Sequence, residues 1–372
     1  MKSKNFYNKK YGRSRKRIRG FTLIELLVSI IISAGVIMLI LSFIVQMSET
    51  DRRELALTQT QRDMSFALDY MSNELKEAVY VYDEECLGTT GRGTPNRAED
   101  LTANPPVPSY CPGLQNHLQF PAEVAPVLAF WKIESVPYVA DPSGTENLPQ
   151  TCPQGREQEC NALLLNRSSY TFVMYGIRAD RPTGSGNPTW IGPGRIVRYE
   201  LRQYQTVSTL TPTAGYVDPT NSGITFSSWP RVYQTGAAPT GLTPPENYAQ
   251  KEQVLVDLVD IGILPKERTE PITTNSCPNP TDYTLSKPQV LDEKGTLKDN
   301  SSFYTCIRKA QSGQSQDVFI SIRGNALKRA GMPESLNTTT TGNDPNSSRN
   351  SAYLPGVSAQ VQTRGVFNRN PS

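Results

Sequence analysis

The spacing of apolar residues changes twice along the chain. Residues 21–45 (FTLIELLVSIIISAGVIMLILSFIV) are apolar on every face, with Glu25 as the single charge. At about 1.5 Å per residue, a helix of this length crosses a hydrocarbon core of about 30 Å with some tilt. Residues 46–80 contain neither Gly nor Pro, and Met64, Leu68, Met71, Leu75 and Ala78 recur at steps of four and three. That period buries one face of a helix, and its methionines read as core filler. Together the two stretches predict one helix of about 55–60 residues, membrane-spanning first and amphipathic afterwards.

Beyond Tyr80 the pattern shortens. Residues 83–116 are rich in Cys, Gly and Pro and read as a loop. Short runs rich in Val, Ile, Tyr and Phe predict strands at 117–120, 127–133, 162–165, 170–177, 195–204, 254–264, 302–307, 317–322 and 357–366. YTFVMYGI and RIVRYELRQY, with RPTGSGNPTWIGPG between them, read as an antiparallel pair. The expected fold is α+β: a long N-terminal helix packed on an antiparallel β-sheet head with long loops. The expected divisions are a leader at 1–20, a transmembrane half-helix at 21–45, an amphipathic half at 46–82 and a β-rich head at 83–372. Residues 207–250 are rich in Thr, Pro and Gly. They read as a disordered loop in preference to a surface insertion with Trp229 and Tyr233 as contact points. Residues 334–351 are low-complexity and polar, and read as a mobile loop.

Charge changes this picture at the N-terminus. The 372 residues hold 38 Lys+Arg against 35 Asp+Glu, a formal +3. Nine of the basic residues lie in 1–20, which has no acid, and removing those nine from 38 leaves 29 against 35, a formal −6. A basic segment before an apolar span keeps the N-terminus cytoplasmic and sends the remainder across the membrane. All six cysteines (Cys86, Cys111, Cys152, Cys160, Cys277 and Cys306) follow the span, and none forms CxxC. An even number on the oxidising side suits disulfides, with Cys152–Cys160, Cys86–Cys111 and Cys277–Cys306 favoured by short loops; buried free thiols are the alternative.

Glu25 is anomalous, because a carboxylate inside an apolar span costs a few kcal/mol. Either it lies near the interface, or it needs a positive partner such as a free amine at Phe21, four residues earlier. Here RGFTLIELLVS resembles the type IV prepilin, or class III, signal. The resemblance covers about residues 13–45 and implies cleavage between Gly20 and Phe21 by a prepilin peptidase, N-methylation of Phe21, and pairing of Glu25 with the N-terminal amine of a neighbouring subunit. It also implies an inner-membrane, single-pass location with a periplasmic head, followed by entry into a filament. The implied partners are other pilins or pseudopilins, an inner-membrane assembly platform and membrane lipid. Unlike many major pilins, residues 21–45 contain no Pro. The pair YTFVMYGI and RIVRYELRQY resembles a pattern of J-type pseudopilins and large W-type minor pilins. DVFISIRGNALKRAG and the terminal VSAQVQTRGVFNRNPS look like pseudopilins of hormogonium polysaccharide secretion. That second resemblance implies support of polysaccharide export and surface motility, with an exported polysaccharide as a further partner. The large mature chain suggests a rare tip or priming position.

Other chemistry finds little support in the residues. One His, His117, leaves no His-pair metal site, and a catalytic triad would depend on it without any GxSxG context. GxGxxG and Walker A motifs are absent, so no cofactor and no enzyme activity are expected. Asp292, Glu293 and Asp299 read as a solvated loop rather than a metal site, and the basic residues of RGNALKR as solvated rather than a polyanion site. Nucleic acid is therefore not an expected partner. The rival to the filament-subunit reading is a minor pilin whose head is an adhesin or a glycan- or DNA-binding module.

Overall fold

The computed structural model describes residues 22–97, 110–121, 123–138, 147–179, 189–242, 244–245, 252–261, 276–287, 289–291, 297–299, 302–309, 315–332 and 353–366. The basic leader, Gly20, Phe21 and the 334–351 stretch lie outside these. The chain divides into two compact units, Met1–Arg52 and Arg53–Ser372. Helix α1 (Leu23–Lys76, 54 residues) runs through the boundary. In the first unit every described residue is exposed.

The second unit begins with the amphipathic half of α1 and continues with β1 (Ala78–Tyr82), α2 (Glu84–Leu87), α3 (Gln115–Leu118), β2 (Val124–Ser135) and α4 (Glu157–Asn166). Then come β3 (Ser168–Arg178), β4 (Gly194–Leu201), β5 (Tyr204–Thr206), β6 (Thr211–Pro212) and β7 (Gln253–Val259). The last elements are β8 (Tyr283–Ser286), β9 (Gln289–Leu291), β10 (Leu297–Asp299), β11 (Phe303–Arg308), β12 (Ser315–Arg323) and β13 (Gly356–Val366). The main sheet has the order β1-β2-β3-β4-β7 and a second sheet the order β13-β12-β11-β8, all antiparallel. The fold class is the α+β one read from the sequence, a long apolar helix followed by an antiparallel β head.

The main sheet is buried on both faces, so its central strands are almost continuously apolar. Successive side chains alternate between the faces. Val173, Tyr175 and Ile177 of β3 join the core formed with Met64, Leu68, Met71 and Leu75 of α1. Phe172 and Met174 join the opposite core with Tyr82, Trp131, Tyr199 and Trp229. The second sheet docks through a bulge. The register of β2 slips between Pro126 and Leu128, and the Val127 carbonyl accepts from Ser286 Oγ (2.6 Å) and Thr305 Oγ1 (3.2 Å). Gln316 of β12 lies against the free edge of β1. Its side chain accepts from the Val81 N–H (3.0 Å) and donates to the Val81 carbonyl (3.2 Å), completing a buried strand edge.

Four expectations need correction. The helix ends at Lys76, not near residue 80–82, because residues 78–82 pair with β2 from Ala78↔Lys132 onward. Ala78 is still fully buried, so it fits the apolar stripe without belonging to the helix. Residues 162–165 lie in α4, where the Cys152–Cys160 bridge and buried Leu163 fix the helix. His117 and Leu118 lie in the short α3 instead of a strand. Apart from β6, the described part of 207–250 packs over the sheet as irregular structure. Trp229 is fully buried there, stacked on Phe172 (centroids 5.6 Å, 17°) and donating to the Val217 carbonyl (2.8 Å). It is a core residue, not a surface contact point; Tyr233 is half-buried.

Candidate functional site

Helix α1 is the one described helix long and apolar enough to cross a membrane, with a mean hydropathy of 2.8 in its most apolar window. From Leu26 to Ser48 it carries no charge. Glu25 stands in its first turn. Thr22 precedes the helix and its carbonyl receives the Glu25 and Leu26 amides at 3.1 and 3.2 Å. In return the Glu25 carboxylate reaches back to the Thr22 amide and hydroxyl, both at 3.5 Å. This is one arm of a capping box, and the negative charge sits where the helix dipole favours it. Both contacts are long, and two neutral donors do not neutralise a carboxylate in a medium without water. The nearby hydroxyls are already engaged, Ser29 donating to the Glu25 carbonyl and Ser33 to that of Ser29. The chain thus presents an acid at the start of an apolar helical stretch, with no cationic partner among the described residues. Gly20 and Phe21, the other two residues of the proposed processing site, lie outside the described residues.

The other expected residues lie in the head. The six cysteines form three bridges, Cys86–Cys111, Cys152–Cys160 and Cys277–Cys306. His117 packs edge-on to Trp229 (centroids 5.1 Å) and its Nε2 lies 2.8 Å from the Gly215 carbonyl. Burial pulls its pKa below the ordinary value, so it serves the core as a neutral ring. In RGNALKR, Arg323 pairs with Asp260 (2.6 Å) and Arg329 with Asp63 (2.9 Å). Arg323 ties β12 to the end of β7, and Arg329 ties the segment after β12 to α1, so these two guanidiniums are paired within the protein. Asp292 and Glu293 lie outside the described residues, and no cluster of metal-ligating side chains occurs among those described.

The sequence pattern missed one acid. Glu74, in the last turn of α1, is buried against the sheet. Its Oε1 meets Lys132 Nζ of β2 at 2.8 Å and Arg198 Nη2 of β4 at 2.6 Å. Its Oε2 accepts from Arg198 Nε (3.0 Å) and from the Tyr175 hydroxyl of β3. Arg198 lies directly opposite Tyr175 in the ladder and also holds Glu200 at 2.7 Å. Burial pushes the Glu74 carboxyl up, but the bonds and charges of Arg198 and Lys132 outweigh it and hold the pKa at about 2. The end of the stem helix is thereby fixed to three adjacent strands by charge as well as by Leu75 and Met71.

Residues 15–44 match the family model of the prokaryotic N-terminal methylation motif. No curated protein and no solved structure matches the chain. The motif implies processing by a prepilin peptidase and assembly with other pilins, and with the apolar helix it fits a membrane-anchored pilin. At its N-terminus the chain is therefore similar to type IV pilin-like proteins that carry a class III signal.

Proposed function

We propose that this chain is a structural, non-enzymatic subunit, a minor pilin or pseudopilin, of a type IV pilus-like or type II secretion-like filament. The observation that carries this reading is the methylation motif at residues 15–44, which runs into the apolar first part of α1, where Glu25 is the lone charge up to Ser48. Cleavage after Gly20 removes the basic leader and creates an amine at Phe21. In lipid, the least costly partner for Glu25 is such an amine at similar depth on an adjacent subunit. Glu25 then sets the register of each incoming subunit. The resemblance of DVFISIRGNALKRAG to polysaccharide-secretion pseudopilins supports a role in polysaccharide export and motility. The size of the head, residues 83–372, supports a rare tip or priming position.

Mass spectrometry of the assembled protein tests the reading. The expected N-terminus is methylated Phe21, and an intact Met1 leader on assembled protein overturns the proposal. In the same assay Glu25→Ala inserts normally but is missing from filaments; incorporation at the normal level excludes the register role.

A further inference from the structure

A cleft of about 600 Å³ opens between α4 and the loop that follows β6. Its size lies within the ordinary range for small-ligand sites, about 300–1,000 Å³. Three kinds of side chain line it. The first is a set of amides, Gln158, Asn166, Gln203 and Asn221. None of these four side chains has a hydrogen-bond partner among the described residues. The second is a pair of half-buried aromatic rings, Tyr170 and Tyr216. They are held from behind by Phe226 (5.4 Å from Tyr170) and Trp131 (5.9 Å from Tyr216).

The third kind is charged, and its one cation is already paired inside the protein. Arg156 grips Glu159 with two bonds of 2.8 and 2.7 Å, and Glu159 also accepts from the Tyr204 hydroxyl at 2.8 Å. Asp218 accepts from the Thr220 amide (2.8 Å) and hydroxyl (2.6 Å). No cation is left to recruit an anion, and the formal balance of Arg156, Glu159 and Asp218 is −1. Polyanions are therefore disfavoured. A peptide finds no ladder here either, because the Tyr216 hydroxyl caps the Tyr170 carbonyl of β3 at 2.8 Å. Unengaged amides beside rigid rings suit a ligand that offers many hydroxyls, has apolar C–H faces and carries no charge.

We propose that this cleft binds a neutral oligosaccharide. Asn166 of α4 and Asn221 of the 211–221 loop both line the cleft and supply its hydrogen-bonding amides, and Tyr170 supplies a stacking surface. Both walls are pre-formed. The Cys152–Cys160 bridge and the contact of Arg156 Nη1 with the Leu210 carbonyl hold α4, and the Tyr216–Tyr170 bond holds the loop. A site ordered before binding loses little conformational entropy on it. This inference goes beyond the filament-subunit reading, and its failure leaves the N-terminal processing test unaffected.

The test uses the mature full-length protein in detergent micelles and saturation-transfer difference NMR. The probes are cellotriose, maltotriose and mannotriose, with trigalacturonate as the charged comparison. The expected result is a signal from at least one neutral trisaccharide and a weaker one from trigalacturonate. The Asn166→Ala/Asn221→Ala variant changes only exposed amides and keeps the fold, and it weakens binding at least about tenfold. Tyr170→Ala weakens it further. Silence from all three neutral probes overturns the proposal. So does a stronger response to trigalacturonate, or an unchanged affinity in the double variant.

Discussion

Glu74 is a carboxylate that folding keeps ionised at unusually low pH. Its pKa falls from the ordinary 4.5 to about 2, because the attraction of Arg198 and Lys132 exceeds the penalty of burial. The sign follows from proton counting. Between those two values the unfolded chain binds the extra proton, so stability rises with pH there. The contribution is complete above about pH 4.5, is lost as the pH falls towards about 2, and amounts to roughly 3 kcal/mol. Glu74→Gln is expected to destabilise the protein by about 3–5 kcal/mol at pH 7, since Lys132 loses its partner in a buried site and Arg198 keeps only Glu200. Urea unfolding at pH 7 and pH 3 checks this. The gap between the two proteins narrows at pH 3, and an equal gap at both pH values argues against the assignment. Sequence reading could not find this acid. On the helix it is one more Glu beside a stripe, and its partners lie 58, 101 and 124 residues away. Trp229 was hidden for a related reason. It sits in a Thr/Pro/Gly-rich stretch with no period, and only the aromatic cluster of the sheet turns that stretch inward.

At the level of elements, periodicity identified the long helix and the β3–β4 pair, whose patterns extend over many residues. It failed where a short run fits two structures. Ala78 continues a helical stripe equally well as the first residue of β1, and pairing with Lys132 decides between them. Residues 162–165 are four apolar positions that fit either helix or strand, and the local bridge of α4 decides. The join between the two sheets also had no local signal, since Gln316, Thr305 and Ser286 meet backbone 235, 178 and 159 residues away. Gln316→Ala leaves a buried amide and a buried carbonyl of Val81 without partners. It should lower stability by about 1–3 kcal/mol and speed hydrogen exchange at the Val81 amide. Gln316→Glu still accepts from that amide but repels the carbonyl, so it recovers only part of the loss. A melting temperature unchanged in Gln316→Ala would remove Gln316 from this role.

For the whole molecule, the formal charge divides by segment. The +3 belongs to the complete chain, and residues 21–372 carry a formal −6. The candidate site was therefore legible only at one end. RGFTLIE announces itself by local chemistry, whereas the cleft between α4 and the 211–221 loop is assembled from separate segments that carry no motif. The bridges show the reverse case, a three-dimensional feature that short loops favour. Their separations are 25, 8 and 29 residues, and each joins a cysteine to the next one in the chain.

That nearest-neighbour order bears on how the protein is made. A chain that emerges N-terminus first exposes Cys86 and Cys111 before any later thiol, then Cys152 and Cys160, then Cys277 and Cys306. An oxidant acting on each pair as it appears writes the native connectivity without error, and no bridge has to wait for a distant partner. Production in cells lacking a disulfide isomerase should therefore give the normal yield of the three native bridges, while loss of the thiol oxidase should lower it sharply. Peptide mapping of the bridges reads the outcome, and scrambled pairs in the isomerase-free cells would show that synthesis order does not guide the pairing.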